Sequence, residues 1–129
     1  MSCAFQDLES FSRWKEADGD LIRVRKVCID VTGDLVAGIL LSRIIDRYLS
    51  GESKELKPGR DGELWLVKGR EEWWEECRIT PKQFDRAVAL LEQKGIVEKK
   101  VFKFNGVPTV HVRFIPEAFL RLLSEVARR

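Results

Sequence analysis

The stretch GREEWWEECRITPKQFDRAVALLEQKG, residues 69–95, constrains the fold of this chain more than any other. Thr80 is a helix-capping residue, and Pro81 suits the first helical position. Phe84, Ala87, Val88 and Leu91 then recur at helical spacing until Gly95 stops the run. GREEWWEEC reads as a short preceding helix, with Trp73 and Cys77 four apart on its buried side. Trp74 is expected at the edge. Glu71, Glu72, Glu75 and Glu76 are expected on the solvent side of a supporting helix. Only Arg78, Ile79 and Thr80 separate the two helices, and helices joined so tightly follow the helix-turn-helix pattern.

Residues 96–115 follow as a hairpin, because Asn105-Gly106 between two apolar-rich runs is the preferred two-residue type I′ turn. The turn sets the register. Phe104 faces Val107, Phe102 faces Thr109, Lys100 faces His111 and Glu98 faces Arg113 on one side. Val101 faces Val110, Lys99 faces Val112 and Val97 faces Phe114 on the other. The second side is mainly aliphatic and should cover a core, so the first should look outward and place His111 at the surface. Phe102 and Phe104 are then outward aromatics. They either pack against the N-terminal segment, the favoured reading, or form a protein-contact patch.

Elsewhere the pattern is plainer. Residues 33–49 predict a central helix capped by Thr32, with Asp34 near its N-terminus and a wide apolar face from Leu35 to Leu49. SGESKELKPGRDGE (50–63) has almost nothing to bury and reads as a surface loop, and ELWLV (63–67) as a short strand. LIRVRKVCIDV (21–31) alternates like an extended segment, while the first 20 residues fit helix or loop. After Pro116, an apolar stripe of Phe119, Leu122, Leu123 and Val126 predicts a last helix. The order helix, short strand, helix, helix, two-stranded wing is that of an α+β winged helix-turn-helix with an extra C-terminal helix. An N-terminal arm (1–31) would precede the winged-helix domain (32–129).

Charge narrows the function. The net charge is only +2, but residues 80–129 hold ten basic against five acidic side chains, so the basic excess lies in the last fifty residues. Cys3, Cys28 and Cys77 form no CxxC pattern, and no signal peptide or membrane-length apolar run is visible; a cytoplasmic protein with reduced thiols is expected. His111 is the one histidine, without companions for a metal. No phosphate-binding glycine loop or nucleophile elbow occurs, so no enzyme, cofactor or metal is expected.

Binding is the better reading. With positions 84, 87, 88 and 91 inward, Lys82, Gln83 and Arg86 stand outside in the first turn and a half of the third helix. They are suitable donors for base edges and phosphates in a major groove, and Thr80 and the helix N-terminus favour a phosphate. Lys99, Lys100 and Lys103 are expected to meet adjacent phosphates. Double-stranded DNA is therefore the expected partner. The alternative is a winged helix used for protein–protein contact, or a homodimer through the C-terminal helix. Its support is the acidic second helix, the outward aromatics and the amphipathic last helix.

LLSRII (40–45), ELWLVKGREEW (63–73), ITPKQFDRAVALLEQKGIVEKK (79–100) and VHVRF (110–114) together resemble the N-terminal winged-helix module of phage and plasmid replication proteins, the replication initiators and DnaD-like replisome organisers. The resemblance spans roughly residues 32–115 and implies duplex binding in replication or transcription control. Asp46-Arg47 stands where the family has an aromatic pair, and Gly69-Arg70 where it has a Ser/Thr cap. The resemblance does not extend to a second domain, so initiator activity is not implied.

Overall fold

In the computed structural model, which describes residues 5–50 and 54–128, the chain is an α+β fold. The helices are α1 (Leu8–Ala17), α2 (Lys26–Thr32), α3 (Leu35–Ser50), α4 (Trp73–Cys77), α5 (Pro81–Gln93) and α6 (Pro116–Ala127), and a 3-10 turn at Arg70–Glu72 leads into α4. The strands β1 (Leu56–Pro58), β2 (Leu64–Val67), β3 (Val97–Phe104) and β4 (Val107–Phe114) form one antiparallel sheet in the order β1-β2-β4-β3.

The α5 boundaries follow from its caps. Thr80 Oγ1 accepts from Gln83 N–H at 3.2 Å, and Gln83 Oε1 accepts from Thr80 N–H at 2.9 Å. The β3–β4 register matches the sequence expectation pair for pair, from Phe104 opposite Val107 to Val97 opposite Phe114. Asn105 (φ 52°) and Gly106 (φ 79°) both adopt the left-handed conformation that a type I′ turn demands.

α3 runs through the middle of the molecule, packed by α2, α5 and β4. Leu40, Leu41 and Ile44 are fully buried against Trp73, Phe84 and Val88. Tyr48 ties the end of α3 to the sheet: its hydroxyl donates to the Leu64 carbonyl at 2.8 Å and accepts from Phe114 N–H at 3.2 Å. Leu35 and Leu49, expected on the apolar face, are exposed at its two ends.

Three expectations are corrected. Residues 26–32, read as part of an extended stretch, form α2, so the boundary drawn at 31/32 falls inside a helix whose Cys28 is fully buried. Val24, Val27, Cys28 and Val31 also fit an i, i+3, i+4, i+7 spacing, and packing on α3 selects it. Thr32 does not cap α3; its hydroxyl donates back to the Cys28 carbonyl at 2.9 Å, and Asp34 Oδ2 accepts from Ala37 N–H at 2.9 Å instead. Finally, the loop at 50–63 contains β1, whose Leu56 pairs with Leu66.

The α2–α3 contact is close enough to forbid a side chain. A Cβ on Gly38 would lie 2.6 Å from Ile29 Cγ1 and 2.7 Å from Ile29 Cα. Gly38→Ala should therefore destabilise the protein by about 2 kcal/mol in urea unfolding, although alanine is the better helix former. A variant as stable as the parent would show that the two helices separate freely.

The apolar stripe of α6 faces home. Phe119, Leu122, Leu123 and Val126 are half-buried against the core, with the Phe119 and Phe114 rings 5.8 Å apart, and α6 lies on α2. The surface expected to serve a homodimer is thus partly covered by the chain itself. Leu120 is the large apolar residue α6 leaves exposed.

Candidate nucleic-acid interface

α5 turns Phe84, Ala87, Val88 and Leu91 inward and leaves Lys82, Gln83, Asp85, Arg86, Ala89 and Gln93 in solvent. The seven residues expected to bind DNA do not form a single set. Thr80 and Gln83 are engaged with each other in the capping box, although the Gln83 amide N–H2 still points out as a donor. Lys82 is exposed one residue into the helix.

Arg86 is already partnered. Its guanidinium donates to both oxygens of Asp34, at 3.1 and 3.2 Å, and this bond chiefly holds the Asp34 carboxyl below its ordinary value. Asp85, also on the outer face, takes two hydrogen bonds from Arg70, at 3.0 and 2.6 Å. That bond is the main reason its carboxyl titrates low, and the charges of Arg70 and Lys99 add to it.

The β3–β4 hairpin divides its lysines between two faces. Lys99 and Lys103 share the side of the buried Val97, and Lys99 N–H donates to Glu92 Oε2 of α5 at 3.3 Å. Lys100 points the other way. Its ammonium lies 3.8 Å from Glu98 and 5.6 Å from the Trp65 ring centroid, so it does not join Lys99 and Lys103.

The outward face is not a plain surface either. Trp65 is nearly fully buried there, with Phe102 packed edge-on at 5.7 Å and Arg113 5.9 Å from its ring centroid. His111, expected at the surface, is buried beside Phe102 at 5.0 Å, and its Nδ1 donates to the Thr109 carbonyl at 2.8 Å. Phe102 thus packs on Trp65 rather than on the N-terminal segment. The cause is β2: it pairs with β4, placing Val67 opposite His111.

Behind α5, the acidic helix departs from expectation at one residue. Trp73 and Cys77 are buried as expected, and Trp74 is exposed under Arg78 at 5.4 Å. Glu76, however, has a side chain only 4% exposed, with Arg43 at 3.1 Å, Lys68 at 3.5 Å and Arg47 in direct contact. Lys68 also bonds Glu55 at 2.8 Å. This network joins α3, α4 and the end of β2. It was illegible in sequence because Arg43 and Glu76 lie 33 residues apart.

Among the described residues no group of three or more His, Cys, Asp or Glu is placed to hold a metal ion, and no helix is long and apolar enough to cross a membrane. Cys28 and Cys77 are buried thiols whose pKa burial raises. Neither a protein-family model, a curated protein nor a solved structure matches this chain.

Proposed function

We propose that this chain is a winged-helix protein that binds double-stranded DNA, in replication or transcription control of a phage or plasmid. The observation that carries the reading is the exposure of Lys82, Gln83 and Arg86 on the first turns of a capped helix, with the hairpin side that bears Lys99 and Lys103 tied to the same helix by the Lys99–Glu92 bond. In this reading α4 and α5 are the helix-turn-helix, β3 and β4 the wing, and α5 enters the major groove.

The two ion pairs on this side modulate the contact. Arg70 neutralises Asp85, which would otherwise repel a phosphate. The Arg86–Asp34 pair is solvent-exposed on its arginine side, and such pairs contribute only about 0–1 kcal/mol, so a phosphate can take Arg86 over. Lys100 is outside the interface.

Fluorescence anisotropy with a random-sequence duplex at low salt tests this. Lys82→Ala combined with Arg86→Ala should weaken binding by about tenfold or more and reduce the salt slope by about two. Lys100→Ala should change affinity less than about twofold, because one exposed lysine off the path releases no counterion. A folded protein without measurable duplex affinity at low salt would overturn the assignment.

A further inference from the structure

Most of the exposed large apolar side chains among the described residues fall in two stretches, the N-terminal arm and the distal wing. On α1, Leu8 is 79% exposed, Phe11 39% and Trp14 47%, and no residue of the helix is buried. Phe11 and Trp14 nevertheless form an organised face, with ring centroids 5.8 Å apart and Phe5 packed edge-on to both at 5.5 and 5.4 Å. On the wing, Phe102 is 45% exposed, Phe104 40% and Val107 61%; the register places all three on one side of the hairpin.

The two patches are opposite in charge. Residues 7–20 carry Asp7, Glu9, Glu16, Asp18 and Asp20 against Arg13 and Lys15. The outward face of the sheet carries Lys100 and Arg113 on the hairpin, and Lys57 opposite Trp65, against Glu98. An acidic aromatic helix and a basic aromatic ribbon left uncovered in one chain complement each other in both apolar area and sign. Beside the ribbon, a groove of ≈ 360 Å³ bordered by Val67, Phe104, Val107 and Val110 can receive an aromatic ring.

We propose that α1 of one molecule docks on the outward face of the wing of a second copy, and that the exchange is reciprocal, giving a two-fold dimer. Exchange of an identical element is a low-cost route to such a dimer, since each copy contributes one arm and one ribbon. The arm suits this role: residues 18–25 between α1 and α2 are not helical, and α1 is held by no core contact of its own. The period of two in the strands keeps this surface apart from the Lys99–Lys103 side. Arm docking and duplex binding thus use opposite faces of one hairpin, and the dimer does not depend on the DNA-binding reading.

Sedimentation velocity on the full chain over a concentration series tests it without DNA. The parent should show a monomer–dimer equilibrium. Phe11→Ala with Trp14→Ala, and separately Phe104→Ala with Val107→Ala, should each weaken association by about tenfold or more. These side chains are largely exposed, so thermal melts should confirm that both variants fold. Mixing the two variants should restore part of the dimer, because the mixed pair regains one intact arm on one intact wing. A parent that stays monomeric at every concentration overturns the proposal, including the case in which the arm folds back on its own wing. So does a wing variant that dimerises like the parent, which would indicate arm–arm pairing.

Discussion

Replacing Glu76 with alanine is expected to lower stability by about 3 kcal/mol, which for a chain of this size lowers the melting temperature by roughly 10 °C. Glu76 is the shared acceptor for Arg43, Arg47 and Lys68, with its side chain 4% exposed. Removing it leaves three cations facing one another at the junction of α3, α4 and β2. Asp46 and Glu55 offset part of that charge through Arg43 and Lys68, which keeps the loss at the lower end of the range for a broken buried pair. Glu76→Gln keeps the shape and should fall between the two.

The same residue gives a pH signature. Burial alone would raise the Glu76 carboxyl, but the hydrogen bond and charge of Arg47, the charge of Lys68 and the hydrogen bond from Arg43 hold it below the ordinary 4.5. A folded-state pKa that is depressed contributes stability above the unfolded value, and that contribution is lost as pH falls through the folded one. The gap between parent and Glu76→Gln should therefore be full at neutral pH and shrink below about pH 4.5. Urea titrations across that range measure it. A gap that persists unchanged in acid would mean that Glu76 acts by shape alone.

The parts of the fold legible in sequence are those decided by neighbours along the chain. Thr80, Pro81 and Gly95 bracket α5, and Asn105-Gly106 sets eight cross-strand pairs, because caps and two-residue turns are local chemistry. The α2 segment reads as extended in sequence for a physical reason. Its β-branched residues satisfy a period of two as well as a helical one, and the deciding contact, Ile29 against Gly38, comes from another helix. The candidate site was legible as a list of exposed donors but not as an arrangement. Arg86 finds Asp34 across 52 residues of chain, and the alternation that turns Lys100 away from Lys99 matters only because the two faces of the hairpin differ. A hairpin alone leaves the His111 face open; the third strand, with Trp65 and Val67, closes it.

Trp73 offers the sharpest contrast between two substitutions at one core position. The indole is fully buried, stacked on Phe84 at 5.8 Å, with the Lys68 ammonium 5.3 Å from its ring centroid. Its Nε1–H finds no acceptor among the surrounding protein atoms. Trp73→Ala removes the whole ring and opens a cavity between α4 and α5, which should cost about 4 kcal/mol. Trp73→Phe keeps an aromatic on Phe84 and removes the unpaired donor, whose desolvation penalty is about 1–3 kcal/mol. That relief offsets much of the lost volume, so the phenylalanine variant should lose no more than about 1.5 kcal/mol. Chemical denaturation of both variants decides the matter. Equal losses would mean that the indole nitrogen is satisfied or that the pocket tolerates no smaller ring. The functional consequence follows from position: Trp73 and Phe84 join α4 to α5, so the alanine variant should also weaken duplex binding although it touches no residue of the proposed interface.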